Sequence, residues 1–192
     1  MLAWFLIILQ IVILLLAYFA LARLFYIFTT LRAAVPYVPT PRGAIKKMAE
    51  VSGLTDCTMG RSKEPIEIVD LGSGSGKMLF HLARYAPKNA ALVGIEKSRL
   101  LSIVARARRL VSKHRHKITL IQNDWTNFDL RNARYVFIFL TRPSIESLRV
   151  KFETELQKNA CIASYMFQMK SDQFSEEKTS WLKIPIYVYR KL

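Results

Sequence analysis

The sequence has little acidic charge and few residues that bind metals. Its 192 residues include 14 Asp and Glu against 29 Lys and Arg, so the formal net charge is +15. The three histidines have no spacing typical of metal ligands, and the two cysteines, Cys57 and Cys161, are far apart in the sequence. In a reducing compartment these cysteines are free thiols. The composition therefore argues against a metal site, a disulfide and a catalytic triad.

The chain opens with one long apolar segment. From Leu2 to Ala22 the only strongly polar residue is Gln10, and about 21 residues at about 1.5 Å each span a hydrocarbon core of roughly 30 Å. A cleavable signal peptide would have a basic start, a shorter apolar stretch and a small-residue cleavage site, and these features are missing. A buried helix of a soluble protein is the alternative. We predict a transmembrane anchor over residues 1–30.

Basic residues set the predicted orientation of this anchor. Only the α-amino group precedes the apolar segment, and no acid follows it before Glu50. The intervening basic residues are Arg23, Arg32, Arg42, Lys46 and Lys47. The positive-inside rule therefore predicts a single-pass membrane protein whose remaining residues lie on the cytoplasmic side.

The densest positive charge lies between Lys97 and Lys117, a stretch without an acidic residue. Its basic residues are Lys97, Arg99, Arg106, Arg108, Arg109, Lys113, Arg115 and Lys117. Such a stretch attracts anionic lipid or nucleic acid, or keeps the protein soluble. Because the predicted anchor holds the chain near lipid, we favour contact with the anionic leaflet over nucleic acid.

A glycine-rich loop organises the rest of the chain. The apolar run Ile66 to Leu71 predicts a strand, the loop 72–76 reads Gly-Ser-Gly-Ser-Gly, and a helix is predicted from Met78. Glycines adopt positive φ and let a ligand approach the backbone. The free N–H groups at the start of the helix favour a negatively charged or carboxylate-bearing group. A glycine-rich turn without a ligand is the alternative.

The spacing of the glycines separates three kinds of ligand site. A P-loop needs a glycine at position 71 and Ser or Thr at position 78, where this chain has Leu71 and Met78. A dinucleotide fingerprint needs a third glycine at position 77, which is Lys77. The run Asp70-Leu71-Gly72-Ser73-Gly74-Ser75-Gly76 instead resembles motif I of class I S-adenosylmethionine-dependent methyltransferases. The resemblance implies a Rossmann-like α/β sheet with helices on both faces. In it Gly72, Ser73, Gly74 and Gly76 hold the methionine part of the cofactor and Asp70 orders the turn.

Two further predicted strands lead to polar or aromatic residues. Glu96 ends the second strand, where a carboxylate accepts both ribose hydroxyls; pairing with Lys97 or Arg99 is the alternative. Asn123, Asp124 and Trp125 follow the third strand, 118–122. Asp124 is the better candidate for adenine and Trp125 for covering the ring, although Asp124 could cap a turn and Trp125 could be core.

The fourth predicted strand, 135–140, leads into Thr141 and Pro143. Ligands bind outside the carboxyl ends of strands in open α/β sheets, so these two residues are expected to line the methyl-transfer site. A helix at 144–158, a strand at 160–167 and a closing strand pair within 181–190 complete the prediction. In the helix predicted at 100–111, we expect the apolar residues to face the sheet. They are Leu100, Leu101, Val104, Ala107 and Val111.

A proline-rich connector, residues 31–64, joins the anchor to the predicted methyltransferase domain, residues 65–192. It contains Val-Pro-Tyr-Val-Pro-Thr-Pro at 35–41, followed by a short predicted helix for which Thr40 is a candidate N-cap. An apolar N-terminus, this proline stretch, Ile-x-Lys-Met at 45–48 and the glycine loop together resemble one family. It consists of membrane-associated protein-lysine methyltransferases, including the mitochondrial enzymes that act on the adenine nucleotide translocase and on the ATP synthase c-subunit, with prokaryotic relatives.

The resemblance implies methyl transfer from S-adenosylmethionine to a lysine ε-amine of a membrane or membrane-associated protein. It also implies that Tyr37 and Thr40 help close the cofactor and substrate site. Ser75 stands where the family has an acid and Lys77 where it has Arg. A methyltransferase acting on RNA or lipid and a non-catalytic membrane-tethered protein are the alternatives.

Overall fold

A computed structural model describes residues 2–32, 38–56 and 66–192. The chain divides into two compact units, one up to Val38 and one from Pro39 onward.

The first unit is a long apolar helix, α1, over Leu2–Arg32. Its stretch Trp4–Tyr26 is long and apolar enough to cross a membrane, and its side chains are exposed. By length and composition it matches the predicted anchor.

The second unit is built on a mixed sheet of seven strands within the described residues. The strands are β1 (Ile66–Leu71), β2 (Ala90–Glu96), β3 (Ile118–Gln122), β4 (Ala133–Ile138), β5 (Cys161–Tyr165), β6 (Phe174–Trp181) and β7 (Ile184–Lys191). Their order is β3-β2-β1-β4-β5-β7-β6. The first five run parallel, whereas β7 is antiparallel to both β5 and β6.

Four helices accompany the sheet in the described part of this unit. They are α2 (Arg42–Val51), α3 (Lys77–Leu82), α4 (Arg99–Leu110) and α5 (Arg142–Glu155). Side chains of α2 and α3 pack on one face of the sheet, and those of α5 pack on the other. Parallel strands covered on both faces are expected to be nearly continuous apolar runs, and β1 and β4 are. The predicted α/β sheet with helices on both faces is confirmed.

Helix α2 belongs to the core of the second unit. Ile45 and Met48 are fully buried in it. Thr40 does not cap this helix, because the N-cap position is Pro41 and no side-chain hydrogen bond closes the first turn. Thr40 is instead 4% exposed. The predicted cap is therefore wrong.

Two other expectations for the fold are wrong in part. The closing strand pair begins at Phe174 rather than inside 181–190, because β6 pairs with β7 along its whole length. In α4 the buried residues are Leu101, Ser102 and Ala105, whereas Leu100, Ala107 and Val111 are exposed. Only part of the predicted apolar face therefore meets the sheet.

Candidate active site

The glycine loop adopts the backbone that its sequence predicts. Gly72, Gly74 and Gly76 have φ values of 74°, 55° and 76°, a region that side chains with a Cβ rarely occupy. The N–H groups of Gly72 and Ser73 both donate to the Ile95 carbonyl at 2.9 Å. The turn at the end of β1 is therefore held against the end of β2.

Close packing also requires glycine at the start of this loop. A Cβ on Gly72 would lie 2.8 Å from Leu140 Cδ2 and 3.4 Å from Trp125 Cζ3. Leu140 follows β4 and Trp125 follows β3, so the ends of three strands meet at Gly72. This convergence places the loop at the carboxyl edge of the sheet, as predicted.

Glu96 is held in one orientation by backbone donors. Gly74 N–H donates to its Oε2 at 2.8 Å, and Ser98 N–H donates to its Oε1 at 2.7 Å. Each carboxylate oxygen keeps further acceptor capacity. Burial raises the pKa of Glu96, while the hydrogen bonds from Ser98, Gly74 and Lys97 oppose that rise. The alternative pairing with Lys97 is not formed through its side chain, because Lys97 Nζ contacts Asp124 at 2.9 Å.

Asp70 is a buried carboxyl beside this cradle. Its side chain is 1% exposed. Burial raises the pKa of Asp70 to about 7, the Glu96 carboxylate adds to the rise, and a hydrogen bond from the Leu79 backbone opposes it. Asp70 thus links the end of β1 to α3, in keeping with its predicted role of ordering the turn.

Three buried polar atoms lack a hydrogen-bond partner in the part of the chain that the structure describes. They are Asp70 Oδ2, Ser73 Oγ and Tyr165 OH. Asp70 and Ser73 lie at the carboxyl end of β1, and Tyr165 ends β5. Buried polar groups are normally satisfied. Asp70 and Ser73 lie three residues apart at the start of the glycine loop, so the unpartnered atoms there favour a polar ligand at the loop.

Asp124, which follows β3 near the site, has the turn-capping role predicted as the alternative to adenine binding. Asp124 Oδ1 accepts from Thr126 N–H at 3.0 Å and so caps a short 3-10 turn, Trp125–Asn127. A hydrogen bond from Lys97 is the main reason that the pKa of Asp124 falls to about 2. Asn123 Oδ1 accepts from the Asp124 N–H at 2.8 Å.

Trp125 is half-buried and packs against the core on the α5 side of the sheet. The same side chain borders Gly72. It is thus both a core residue and a wall of the cradle, and its contact with adenine stays a prediction, as does that of Asp124.

The predicted methyl-transfer residues lie directly after β4. Thr141 is at the N-cap position of α5, its Oγ1 is 3.1 Å from Ser144 Oγ, and Pro143 lies exposed in the first turn. Thr40 is buried just before α2. Tyr37 lies outside the described residues. The catalytic roles of these four residues stay predictions.

Sequence reasoning missed two residues of the site. Arg108, on α4, donates to Ser75 O at 2.8 Å and to Ser75 Oγ at 2.9 Å. The Arg108 guanidinium therefore connects α4 to Ser75 in the glycine loop. Tyr165 packs edge-on against Phe139, with ring centroids 5.0 Å apart. The only signal for Tyr165 in the sequence is its place within the predicted strand 160–167.

The parallel strand order, the terminal antiparallel hairpin and the glycine cradle define a Rossmann-like methyltransferase fold. The chain resembles an RNA methyltransferase of Salinibacter ruber, solved with S-adenosyl-L-homocysteine, at a TM-score of 0.69 and 23% identity, over 80% of this chain and 94% of that one. It also resembles a precorrin-6y C5,15-methyltransferase of Geobacter metallireducens GS-15, at a TM-score of 0.55 and 16% identity, over 74% of this chain and 88% of that one. These likenesses show the fold, and their acceptors differ.

Residues 70–176, more than half of the chain, match the model of the ANTKMT methyltransferase domain. The chain belongs to this family of methyltransferase domains, which confirms the resemblance seen in the sequence. It is also similar to a protein-lysine N-methyltransferase of Saccharolobus islandicus (strain REY15A), with 26% identity over 137 residues, covering 71% of this chain and 79% of that protein. Family membership favours an enzyme over the non-catalytic alternative.

Proposed function

We propose that the protein transfers a methyl group from S-adenosylmethionine to the ε-amine of a lysine in a membrane or membrane-associated protein. The observation that carries the proposal is the glycine cradle, where Asp70 Oδ2 and Ser73 Oγ are buried without a partner and the carboxylate of Glu96 is held by backbone donors. Membership of the ANTKMT family and the similarity to a protein-lysine methyltransferase support lysine as the acceptor.

The cradle fits such a cofactor by its donors, acceptors and shape. The backbone at Gly72, Gly74 and Gly76 would hold the methionine part, because glycines have no side chain of their own between the backbone and a ligand. The oriented carboxylate of Glu96 would accept the ribose hydroxyls, and Asp124 with Trp125 would border the adenine. When bound, the cofactor supplies an electrophilic methyl group on a sulfonium.

The protein has to hold the neutral amine of the acceptor lysine in line with the methyl group and to exclude water from the site. A lysine is mostly protonated at neutral pH, and a desolvated pocket favours its neutral form. Thr141 and Tyr165 follow or end adjacent parallel strands at the carboxyl edge. We assign to this edge the entry of the lysine side chain, with the buried Tyr165 hydroxyl as a polar group available to the amine.

Helix α1 supports a membrane location. We propose that it anchors the protein as a single-pass helix and that the second unit lies on the cytoplasmic side, since Arg and Lys follow the apolar stretch. Anchoring would restrict the encounter with acceptors to proteins at the same bilayer surface.

The test is label transfer with the full chain in mild detergent. The protein is incubated with S-adenosylmethionine carrying a deuterated methyl group and with a membrane extract, and the protein, RNA and lipid fractions are analysed by mass spectrometry. We expect deuterated methyl groups on lysine in the protein fraction. Glu96→Ala should lower the label at least about tenfold at cofactor concentrations below the dissociation constant, whereas Glu177→Ala, an exposed carboxylate change on β6, should not.

RNA is a second candidate acceptor, because the stretch 97–117 is basic and would bind phosphate. Label that enters RNA, with affinity that falls steeply as salt rises, would replace lysine by RNA. Label in the lipid fraction would replace it by lipid. The absence of label in every fraction, together with no cofactor binding, would refute the proposal as a whole.

A further inference from the structure

The side of α4 that faces away from the sheet carries large apolar residues. Leu100, Ile103, Leu110 and Val111 are 39%, 52%, 72% and 84% exposed. At 3.6 residues per turn these four positions fall within one arc of the helix, opposite the buried Leu101, Ser102 and Ala105. We call these four residues the α4 outer face. A contiguous exposed apolar surface of this kind normally marks an interaction site.

Positive charge borders the α4 outer face. Arg99 and Arg106 lie on one flank of it, and Lys113 follows just beyond its end. Of the eight basic residues between 97 and 117, only Lys97 forms an ion pair in the part of the chain that the structure describes, with Asp124. Because the stretch has no acid of its own, the charge around the apolar residues is not neutralised.

Helix α5, on the opposite face of the sheet, differs from α4 in the charges around its exposed apolar residue. It also exposes an apolar residue, Val150, at 57%. That residue lies among ion pairs of Arg149 with Glu146 and Glu153. Mixed charge of this kind is typical of a helix facing water, whereas basic residues beside exposed Leu, Ile and Val are typical of a helix lying in an anionic membrane surface.

The charges also favour a bilayer over a second copy of the chain. An antiparallel pairing of two outer faces would place their Arg99 and Arg106 side chains close to one another, and like charges in contact are unfavourable. An anionic leaflet instead complements the basic flank while it takes up the apolar residues.

We propose that the α4 outer face docks on anionic phospholipid, with Ile103 and Leu110 entering the headgroup layer and Arg99 and Arg106 contacting phosphate. The inference rests on the proposed membrane anchoring. Helix α4 also contacts the glycine loop through Arg108, so docking would hold the edge of the sheet that carries Glu96 at the bilayer surface.

The test uses the full chain in vesicles, with Cys57 and Cys161 replaced by alanine. One cysteine carrying an environment-sensitive fluorophore is introduced by Ile103→Cys, by Val150→Cys as the matched control, or by Leu9→Cys in α1. Vesicles of phosphatidylcholine are compared with vesicles that also contain phosphatidylserine, and both carry nitroxide-labelled lipid as the quencher. Binding of S-adenosylmethionine is measured on each preparation, so that loss of fold or of the proposed cofactor site is seen separately.

We expect the label at position 103 to shift to the blue and to be quenched several-fold more than the label at position 150, only when phosphatidylserine is present. Arg99→Glu with Arg106→Glu should return the label at position 103 to water without changing the label at position 9.

Three results would count against the proposal. An unquenched label at position 103 in phosphatidylserine vesicles overturns it, whatever the label at position 9 reports. An unquenched label at position 9 refutes the anchor itself. A blue shift at position 103 that depends on protein concentration, in detergent and in both kinds of vesicle, identifies a second copy of the chain as the occupant.

Discussion

At the scale of single residues, the surroundings of Asp70 favour its protonated, uncharged form. Burial and the neighbouring Glu96 carboxylate raise the pKa of Asp70 to about 7, from an ordinary value of 3.8. Between these two values the unfolded chain has lost the proton while the folded chain retains it. The free energy of unfolding therefore falls as pH rises through this window and levels off above it.

Replacing Asp70 by Asn tests this linkage. Asparagine keeps an acceptor for the Leu79 N–H but has no charge to bury. We expect the free energy of unfolding of the unmodified chain, relative to Asp70→Asn, to fall by up to about 4 kcal/mol between about pH 4 and about pH 7. Chemical denaturation in mild detergent at a series of pH values measures the difference. Parallel pH curves for the two proteins would contradict the raised pKa of Asp70.

The sequence predicts which residues surround the cradle better than it predicts their energetics. Glu96 and Trp125 were expected at the edge because each lies at or just after the carboxyl end of a predicted strand. The shifted pKa of Asp70 depends on packing by distant segments. The Arg108 contact with Ser75 joins residues 33 positions apart, and no local pattern encodes it.

At the scale of elements, the glycine loop is sensitive to an added side chain. Gly72→Ala forces a Cβ at φ 74° to within 2.8 Å of Leu140. Gly53→Ala is a matched control, because φ there is 79° and its Cβ would meet only Arg190 Nη2 at 3.9 Å. Both should lower the free energy of unfolding by roughly 1–2 kcal/mol through backbone strain.

Only Gly72→Ala should also weaken S-adenosylmethionine binding, by about tenfold or more, since about 1.4 kcal/mol of lost binding energy corresponds to a factor of ten. Thermal unfolding and calorimetry on the two variants separate the effects. Equal cofactor affinity in both variants would mean that the loop is only structural.

The link between α4 and the loop gives a second prediction. Arg108→Gln removes two hydrogen bonds to Ser75, worth about 1 kcal/mol in an exposed setting. We expect the dissociation constant for S-adenosylmethionine to rise about fivefold. Arg106→Gln is the control on the same helix, without a hydrogen bond or ion pair in the described part of the chain. Calorimetry that finds the same change for both would attribute it to net charge.

The sequence predicts the bounds of strands more reliably than it predicts which side of a helix is buried. β1 and β3 have the predicted bounds, because a mainly apolar run in each is bounded by polar, proline or glycine residues. α4 misled the prediction because apolar residues lie on both its sides. β6 was missed because it is an edge strand whose sequence, Phe-Ser-Glu-Glu-Lys-Thr-Ser-Trp, is mostly polar and exposed.

At the scale of the whole molecule, the proposed role of α1 as a membrane anchor can be tested directly. We expect the full chain to stay in the membrane pellet after alkaline extraction. Ile11→Lys with Leu14→Lys should release it, because each lysine near the middle of a membrane-spanning helix costs about 3 kcal/mol. Trp4→Lys is the control, since a lysine near the helix end reaches the interface. A mature chain shortened by loss of its first residues would identify α1 as a signal sequence instead.

The central claim is that the glycine loop and Glu96 form the site for S-adenosylmethionine. Calorimetric titration of the full chain with this cofactor tests it most directly, with Glu96→Ala and Glu177→Ala measured alongside. Micromolar binding that Glu177→Ala leaves intact and Glu96→Ala weakens at least about tenfold is the expected result, because Glu96 would otherwise accept two ribose hydrogen bonds. A folded chain that gives no heat and no thermal shift with the cofactor would contradict the claim.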